Sequence, residues 1–247
     1  MREARNRDHR LSRSHRILAA LALAIAVVTA GYVLLGKSPL LDVERVEIYG
    51  LHRVTLAEVE ERLGFRRGDP LLSVNSGEVE QNLEVLPWVQ AADVEREWNG
   101  LVTVDITERR AIALAMVAPQ KWALIDASGR VLTEGLLVPP DLPRLSGVHA
   151  AGIPGSYMAK DSSALLSVLG ALSTDLSGYF RTFRRDSRGE IVGNLHSGQQ
   201  VIFGDEDRLA VKVITLAAVL SHLEEQNRKD RYIDVSIPEQ TEVRNDE

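Results

Sequence analysis

The residues of this 247-residue sequence that could do chemistry are six scattered histidines, one acidic triplet and an isolated glycine-serine pair. No two histidines have the spacing of metal ligands on a helix, and the absence of cysteine excludes thiol catalysis, disulfides and thiolate metal sites. Ser156 follows Gly155 but lacks the GxSxG pattern of a nucleophile elbow, and no phosphate-binding or dinucleotide-binding glycine motif is present. The sequence therefore predicts no enzyme, no cofactor and no bound metal.

The acidic triplet Asp205-Glu206-Asp207 has two interpretations. Three carboxylates in a row could contribute to a calcium loop. They also follow Gly204 and precede an apolar helical pattern that starts near Arg208, where the helix dipole and capping stabilise negative charge. We expect the second, structural role.

The elements that must position these residues begin with an apolar segment, Ile17 to Leu35, which contains no charge. As a helix this segment is about 28 Å long, close to the ~30 Å hydrocarbon thickness of a bilayer. Residues 1–16 contain six arginines and only two acidic residues, and positive residues stay on the cytoplasmic side. We expect a cytoplasmic basic tail at 1–16, a transmembrane helix at 17–35 and an external body, which is a single-pass type II topology.

A cleaved signal peptide is the alternative for the same segment. Its apolar core usually has ~7–15 residues and ends in small residues. Here the core is longer and ends in the bulky run from Tyr32 to Leu35, which favours an uncleaved anchor.

The charge of the external body bears on its partners. The chain carries −6 overall and its first 37 residues carry +5, which leaves −11 for residues 38–247. Nucleic acid and anionic lipid repel such a body, so we expect neither as its partner.

The first part of the body, residues 41–110, is predicted to contain a strand, two helices and two further strands, in that order. Thr55 and Glu58 form a capping-box pattern, and Gly64 stands where a helix C-terminal cap belongs. A second helix is predicted from Asn75 to Pro87. Asn99-Gly100 then predicts a type I′ hairpin, so two helices should pack on a small three-stranded sheet.

The second part, residues 111–244, is predicted to be an α+β domain with a mainly antiparallel sheet. Hydrophobic spacing predicts a hairpin over 121–132, one helix over 165–176, strands over 179–184, 190–195 and 200–203, a helix from Leu209 to Leu223, and a strand over 232–238.

Several segments resemble the bacterial cell-division family FtsQ, called DivIB in some bacteria. In the first domain they are GLHRVTLAEV, the Leu86 to Val89 segment and VTVDITERRAIA, which resemble a POTRA domain. In the second they are KWALID with the following glycine turn, FGDEDRLAVKVITL and YIDVSIPEQTEVR. The resemblance covers residues 35 to 244.

The resemblance implies a division scaffold in the inner membrane, concentrated at the septum, that controls septal peptidoglycan synthesis through protein contacts. FtsB and FtsL would bind the second domain, while FtsK and FtsW/FtsI-type proteins would bind the POTRA and membrane regions. The implied partner-binding residues are Arg188, Tyr232, Gln240, Thr241, Glu242, Val243 and Arg244. Their alternative roles are a solvated turn for Arg188 and ordinary strand packing for Tyr232.

Two other functions compete with a division scaffold. A POTRA component of a secretion or outer-membrane assembly system should carry a long series of amphipathic strands after the POTRA domain. The sequence after residue 110 has no such series. A cell-wall enzyme is the third hypothesis.

Overall fold

The computed structural model describes residues 13–36, 42–150, 152–228 and 230–244. Two compact units are present. The first contains residues up to Leu51, Thr55–Leu83 and Ala91–Ile106, and the second contains His52–Val54, Glu84–Gln90 and residues from Thr107 onward. The domain limits 41–110 and 111–244 stay predictions.

Helix α1, Arg13–Gly36, contains the apolar segment, and its described side chains, those of residues 17–29, are exposed. Within the described residues, none of the helices combines the length and the apolar character that crossing a membrane requires. The predicted cytoplasmic tail lies largely outside the described residues, since the structure begins at Arg13.

The first unit is built on a three-stranded sheet in the order β1-β3-β2, with β1 parallel to β3. Its elements are β1 (Arg45–Tyr49), α2 (Leu56–Leu63), α3 (Ser76–Glu84), β2 (Val89–Arg96) and β3 (Leu101–Glu108). Val59 and Leu63 of α2 and Val79 and Leu83 of α3 are buried together with the inward side chains of β2 and β3, whereas Leu56 at the start of α2 is 51% exposed. The predicted α+β architecture of two helices and three strands is confirmed for this unit.

Local signals define α2 as predicted. Thr55 Oγ1 accepts a hydrogen bond from Glu58 N–H, and the Glu58 carboxylate accepts one from Thr55 N–H at 2.8 Å. Gly64 ends the helix with a left-handed φ of 70°. The prediction for α3 is less accurate, because this helix ends at Glu84, before Pro87 is reached.

The predicted turn type between β2 and β3 is wrong, although the hairpin is present. A type I′ turn needs positive φ at both central residues, but in this turn only Gly100 has one, at 85°. Gly100 N–H donates to Glu97 C=O at 3.1 Å, and Glu97 N–H donates to Leu101 C=O at 2.8 Å. The loop is one residue longer than predicted, which leaves Trp98 at its tip, 77% exposed.

The second unit contains a nine-stranded sheet, counted over the described residues, in the order β12-β11-β10-β9-β8-β7-β4-β5-β6. Its strands are β4 (Ala111–Ala118), β5 (Lys121–Asp126), β6 (Val131–Leu136), β7 (Arg144–His149), β8 (Phe180–Arg185), β9 (Ile191–Leu195), β10 (Gln200–Gly204), β11 (Tyr232–Asp234) and β12 (Glu242–Arg244). Strands β4 and β7, β7 and β8, and β10 and β11 pair in parallel, while the other neighbours are antiparallel.

Helices α4 (Ser163–Ala171) and α6 (Leu209–Glu225) contribute to the main core of this unit. Phe180, Phe183 and Phe203 meet at its centre, with ring centroids 4.6 to 6.1 Å apart. Gly193 lies beneath them, since a Cβ there would approach the Phe180 ring to 2.5 Å. A larger residue at 193 would displace the aromatic cluster.

Three parts of this unit differ from the sequence prediction. Strands β4 and β7 were not expected. The predicted helix over 165–176 is interrupted, because Leu172 is extended and Ser173 caps a separate short helix, α5 (Thr174–Ser177). The strand predicted over 232–238 ends at Asp234, and Ile237 is 53% exposed.

The acidic triplet does not cap α6 as expected. The cap position is Arg208, in a left-handed conformation with no side-chain cap. Asp205 instead accepts hydrogen bonds from Asp207 N–H and from the ammonium of Lys212, at 2.7 Å from Nζ. The Lys212 side chain is only 2% exposed, and Asp205 C=O is its second acceptor. This hydrogen bond to the lysine lowers the pKa of Asp205.

Asp205→Ala is expected to lower the free energy of unfolding by about 1–3 kcal/mol, because a buried ammonium loses its carboxylate. Urea denaturation of the full chain measures this. In a Lys212→Met background the same substitution should cost much less, because no buried charge is left unpaired. An equal cost in both backgrounds would contradict the role of the pair.

The pH dependence of this pair follows from the lowered pKa of Asp205. Its stabilisation is complete above the unfolded-state pKa of an aspartate and is lost as the pH falls through the folded-state pKa. The stability difference between the wild type and Asp205→Ala should therefore shrink in acid.

Candidate functional site

The clearest binding feature of the second unit is the outer edge of β12. This strand pairs with β11 on one side, in the register Tyr232↔Arg244, Ile233↔Val243 and Asp234↔Glu242. On its other side, β12 has no neighbouring strand among the described residues. An unpaired strand edge offers backbone donors and acceptors to a partner strand.

The opposite end of the sheet, β6, is partly covered. Val131 N–H donates to Ser156 C=O at 2.8 Å, and Gly155 N–H donates to Val131 C=O at 2.7 Å. Arg130 also forms an isolated bridge with Tyr157. Residues 155–157 therefore protect the start of β6, and β12 is the more accessible end.

The predicted residues 240–244 form the approach to β12 and the strand itself. Val243 is half-buried and packs against the main core, whereas Glu242 and Arg244 are exposed and pair with each other at 3.3 Å. Gln240 ends a single 3-10 turn, Pro238–Gln240, and Thr241 Oγ1 donates to Pro238 C=O at 3.1 Å. Val243 thus attaches the strand to the core, and within the described residues no strand covers its outer edge.

An ion pair ties this turn to α6. The carboxylate of Glu239 accepts a hydrogen bond from the Arg208 guanidinium. This hydrogen bond lowers the pKa of Glu239 and raises the pKa of Arg208. Both side chains are more than half exposed, so the pair positions the turn and contributes little to global stability.

Tyr232 lies one strand inside the edge, so its backbone is paired on both sides and only its side chain can serve a partner. Strand register places it in a polar row that the sequence analysis missed. The row crosses five strands: Thr182, Asn194, Gln200, Tyr232 and Arg244. Asn194 Nδ2 donates to Thr182 Oγ1 at 2.8 Å, and Gln200 Nε2 donates to Asn194 Oδ1 at 3.3 Å.

Arg188 lies in the turn between β8 and β9, separated from β12 by β10 and β11. Its guanidinium contacts the Asp186 carboxylate at 3.4 Å and the Glu190 carboxylate at 3.0 Å, and its side chain is 72% exposed. The structure does not bring it together with residues 240–244. Its predicted partner-binding role stays a prediction.

The chemically reactive residues remain dispersed. Within the described part of the chain, no three histidine or acidic side chains form a group that could hold a metal. Ser156 Oγ donates to Ile153 C=O at 2.6 Å, in a turn. His9 lies outside the described residues, and so do the side chains of His15 and His149.

A buried ion pair, Arg109 with Asp126, borders a cavity of about 550 Å³. Arg109 Nη1 lies 2.8 Å from Asp126 Oδ2. The other carboxylate oxygen, Oδ1, accepts from Ser128 N–H, Ser128 Oγ and Arg130 N–H. Oδ1 therefore holds the turn between β5 and β6, while Oδ2 pairs with Arg109, so both oxygens are already engaged.

Comparison with known proteins finds two families in tandem. The family described as POTRA domain, FtsQ-type, matches residues 41–109. The family described as cell division protein FtsQ/DivIB, C-terminal, matches residues 113–236. The second match covers half of the chain and ends before β12.

Relatives named cell division protein FtsQ match along most of the chain. The protein of Streptomyces venezuelae is 30% identical over 239 residues, which are 95% of this chain and 85% of the relative. That of Mycobacterium leprae is 28% identical, with 96% and 70% covered. That of Corynebacterium glutamicum is 23% identical, with 91% and 98% covered.

Among solved structures, the chain is similar to the major extracytoplasmic domain of the division protein DivIB from Geobacillus stearothermophilus. The identity is 23% and the TM-score is 0.35, with 50% of this chain and 99% of that one covered.

Glu239→Gln is expected to increase hydrogen exchange at the amides of β12, because the neutral side chain no longer pairs with Arg208. Mass spectrometry of exchange at neutral pH measures this. The folded-state pKa of Glu239 is lowered, so in the wild type the tether is intact above the ordinary pKa of glutamate and is lost only in stronger acid.

The matched control is Glu242→Gln, which removes one carboxylate from the same region and leaves the Arg208 pair intact. It should leave β12 exchange close to that of the wild type. Equal acceleration in the two variants would rule out a specific tether.

Proposed function

The chain belongs to the FtsQ/DivIB family of bacterial cell-division proteins, and from this premise we propose that it is a membrane-anchored scaffold that recruits partners by strand addition at β12. The family consists of membrane-associated, non-enzymatic division proteins.

The observation that carries the proposal is the free edge of β12. A partner segment in extended conformation would gain backbone hydrogen bonds there and extend the sheet by one strand. The open edge, its polar neighbours Glu242 and Arg244, and the apolar anchor Val243 support this mode of binding. Tyr232 and Arg244 would contact the partner through the polar face of the sheet.

We propose FtsB, together with FtsL, as the partners of the second unit. Arg188 would be an additional contact, because its side chain is largely exposed to a partner that extends past the strand, although it also pairs with Asp186 and Glu190. We propose FtsK and FtsW/FtsI-type proteins as partners of the POTRA and membrane regions. Through these contacts the protein would connect early and late division proteins and control septal peptidoglycan synthesis.

We further propose that residues 17–35 anchor the chain in the inner membrane, with residues 1–16 in the cytoplasm and the body in the periplasm, at the septum. The charge asymmetry of the sequence supports this orientation. Thr29 Oγ1 donates to Ile25 C=O at 2.8 Å, which satisfies this hydroxyl within α1. An anchor would confine both units with other anchored partners and raise their effective concentration.

The secretion or outer-membrane assembly function is not favoured by any observation. The first match is to the FtsQ-type POTRA domain, and the region that follows it matches the FtsQ/DivIB C-terminal family.

The first test compares alanine and proline at positions 242, 243 and 244. Proline removes the backbone N–H of the residue it replaces. Where that N–H points away from β11, proline should weaken the binding of the FtsB ectodomain at least about tenfold and change the stability of the fold little. Calorimetry measures the affinity, and thermal unfolding reports on the fold. Alanine at the same position is the control, because it keeps the N–H.

A charged residue at position 243 is not a clean test of binding. The Val243 side chain packs on the core, so a charge there would also disturb β12. Wild-type affinity in all three proline variants would place the interface elsewhere.

The second test is depletion in the cell. Loss of a scaffold should give filamentous cells that still form FtsZ rings but do not recruit FtsB and FtsL, as measured by fluorescence microscopy. A chain that carries an unrelated membrane helix in place of 17–35 should restore division if that segment acts only as an anchor. Normal septation after clean deletion would contradict the scaffold role.

A further inference from the structure

The first unit has a second open edge, at β1. The sheet order β1-β3-β2 leaves β1 and β2 as its two outer strands. The β2 edge is partly occupied, because Glu80 Oε1 accepts the N–H of Val94 at 3.1 Å. Arg96 Nη1 also donates to Val74 C=O at 2.5 Å, which ties β2 to the segment before α3.

The β1 edge is covered only just before the strand starts. Val43 N–H donates to Asp69 C=O, and Gly68 N–H donates to Val43 C=O, both at 2.9 Å. Gly100 C=O accepts the N–H groups of Glu44 and Arg45 from the β3 side, so the 68–70 segment lies on the outer side. Beyond it, β1 has no outer neighbour among the described residues.

Beside this open edge lies a groove of about 580 Å³. Its apolar walls come from β1, α2 and the segment after α2: Val46, Ile48, Leu56, Leu63 and Phe65. Leu56 is 51% exposed, and Val46 and Ile48 are only half-buried although they face the helix side of the sheet. An edge strand next to an apolar groove provides backbone pairing and side-chain pockets at the same place.

The charge at the groove indicates what would bind. Arg66 and Arg67 line it, and neither guanidinium has a hydrogen-bond or ion-pair partner among the described residues. Glu60 is the single acidic residue of the lining, so the groove carries a net positive charge within an acidic body.

We propose that the β1 groove binds an extended segment of a partner protein, with apolar side chains at alternate positions and a carboxylate facing Arg66 and Arg67. Five residues of β1 offer roughly 16 Å of edge, which fits a short strand. The inference rests on the proposed role of the first unit as a docking module and assigns it a surface, separate from the β12 edge.

The experiment uses the full chain in nanodiscs and a fluorescein-labelled peptide of about eight residues, with alternating valine and threonine and two aspartates at one end. Binding is followed by fluorescence anisotropy and by hydrogen exchange. We expect saturable binding that protects amides of Arg45–Tyr49 and leaves those of Val89–Arg96 unchanged. A version of the peptide with lysines in place of the aspartates should bind at least about tenfold more weakly.

Arg67→Glu should weaken binding of the aspartate peptide and improve binding of the lysine peptide. Arg62→Glu is the matched control. It makes the same change of charge, but Arg62 lies on α2 and does not line the groove. Leu56→Asp removes an apolar wall at a helix start, where a carboxylate is tolerated, and should also weaken binding.

The proposal would be overturned by the absence of saturable binding, by equal effects of Arg67→Glu and Arg62→Glu, or by protection at β2 instead of β1. Dimerisation of the chain through β1 would replace the partner by a second copy and would also overturn it. The FtsB affinity of Leu56→Asp separates the two proposals. If the groove fails while FtsB binding and division persist, the scaffold role stands without this surface.

Discussion

An open β-sheet must end, and the backbone groups at its two ends have no neighbour within the sheet. This constraint acts on both units of the chain. The nine-stranded sheet ends at β6 and β12, and the three-stranded sheet ends at β1 and β2. In each unit one end is partly satisfied by the chain itself, through residues 155–157 at β6 and through Glu80 at β2. Among the described residues no strand pairs with the other end, and such an edge is a template on which a partner strand can pair.

Strand β12 has only a small attachment to the core of its unit. Strand β12 has only three residues, and Val243 is the side chain that attaches it to the main core. The preceding turn is held by Arg208 and Glu239, at the start of α6. A short, weakly anchored strand is a poor template for uncontrolled aggregation, yet it still presents backbone groups to a specific partner.

Two buried or partly buried carboxylates of the second unit mainly support structure. Asp126 holds the β5–β6 turn, and Glu108 accepts the N–H groups of His52, Arg53 and Val54 at 2.8 Å. Burial disfavours the ionised Glu108, but these three hydrogen bonds outweigh it and lower its pKa. A carboxylate used in this way is not available for proton transfer. These uses fit a family that works through protein contacts.

The sequence by itself determined the structural features that depend on residues close together in the chain. The capping box of Thr55 and Glu58, the C-terminal cap at Gly64 and the long apolar stripe of α6 are local patterns, and the structure contains them. The resemblance to the FtsQ/DivIB family could also be recognised from the sequence, because it depends on the order of such segments. Errors arose where one residue changes the outcome, as at Gly100, where the loop is one residue longer, and at Leu172, where the helix breaks.

Only the tertiary structure decided which strand became an edge and which residues share a face. Tyr232 was expected on the partner-binding surface, and parallel pairing with β10 and antiparallel pairing with β12 place it one strand inside the edge. The row from Thr182 to Arg244 joins residues far apart in sequence, and the β1 groove joins a strand, a helix and a loop. Strand order and register are set by long-range packing, which local spacing does not encode.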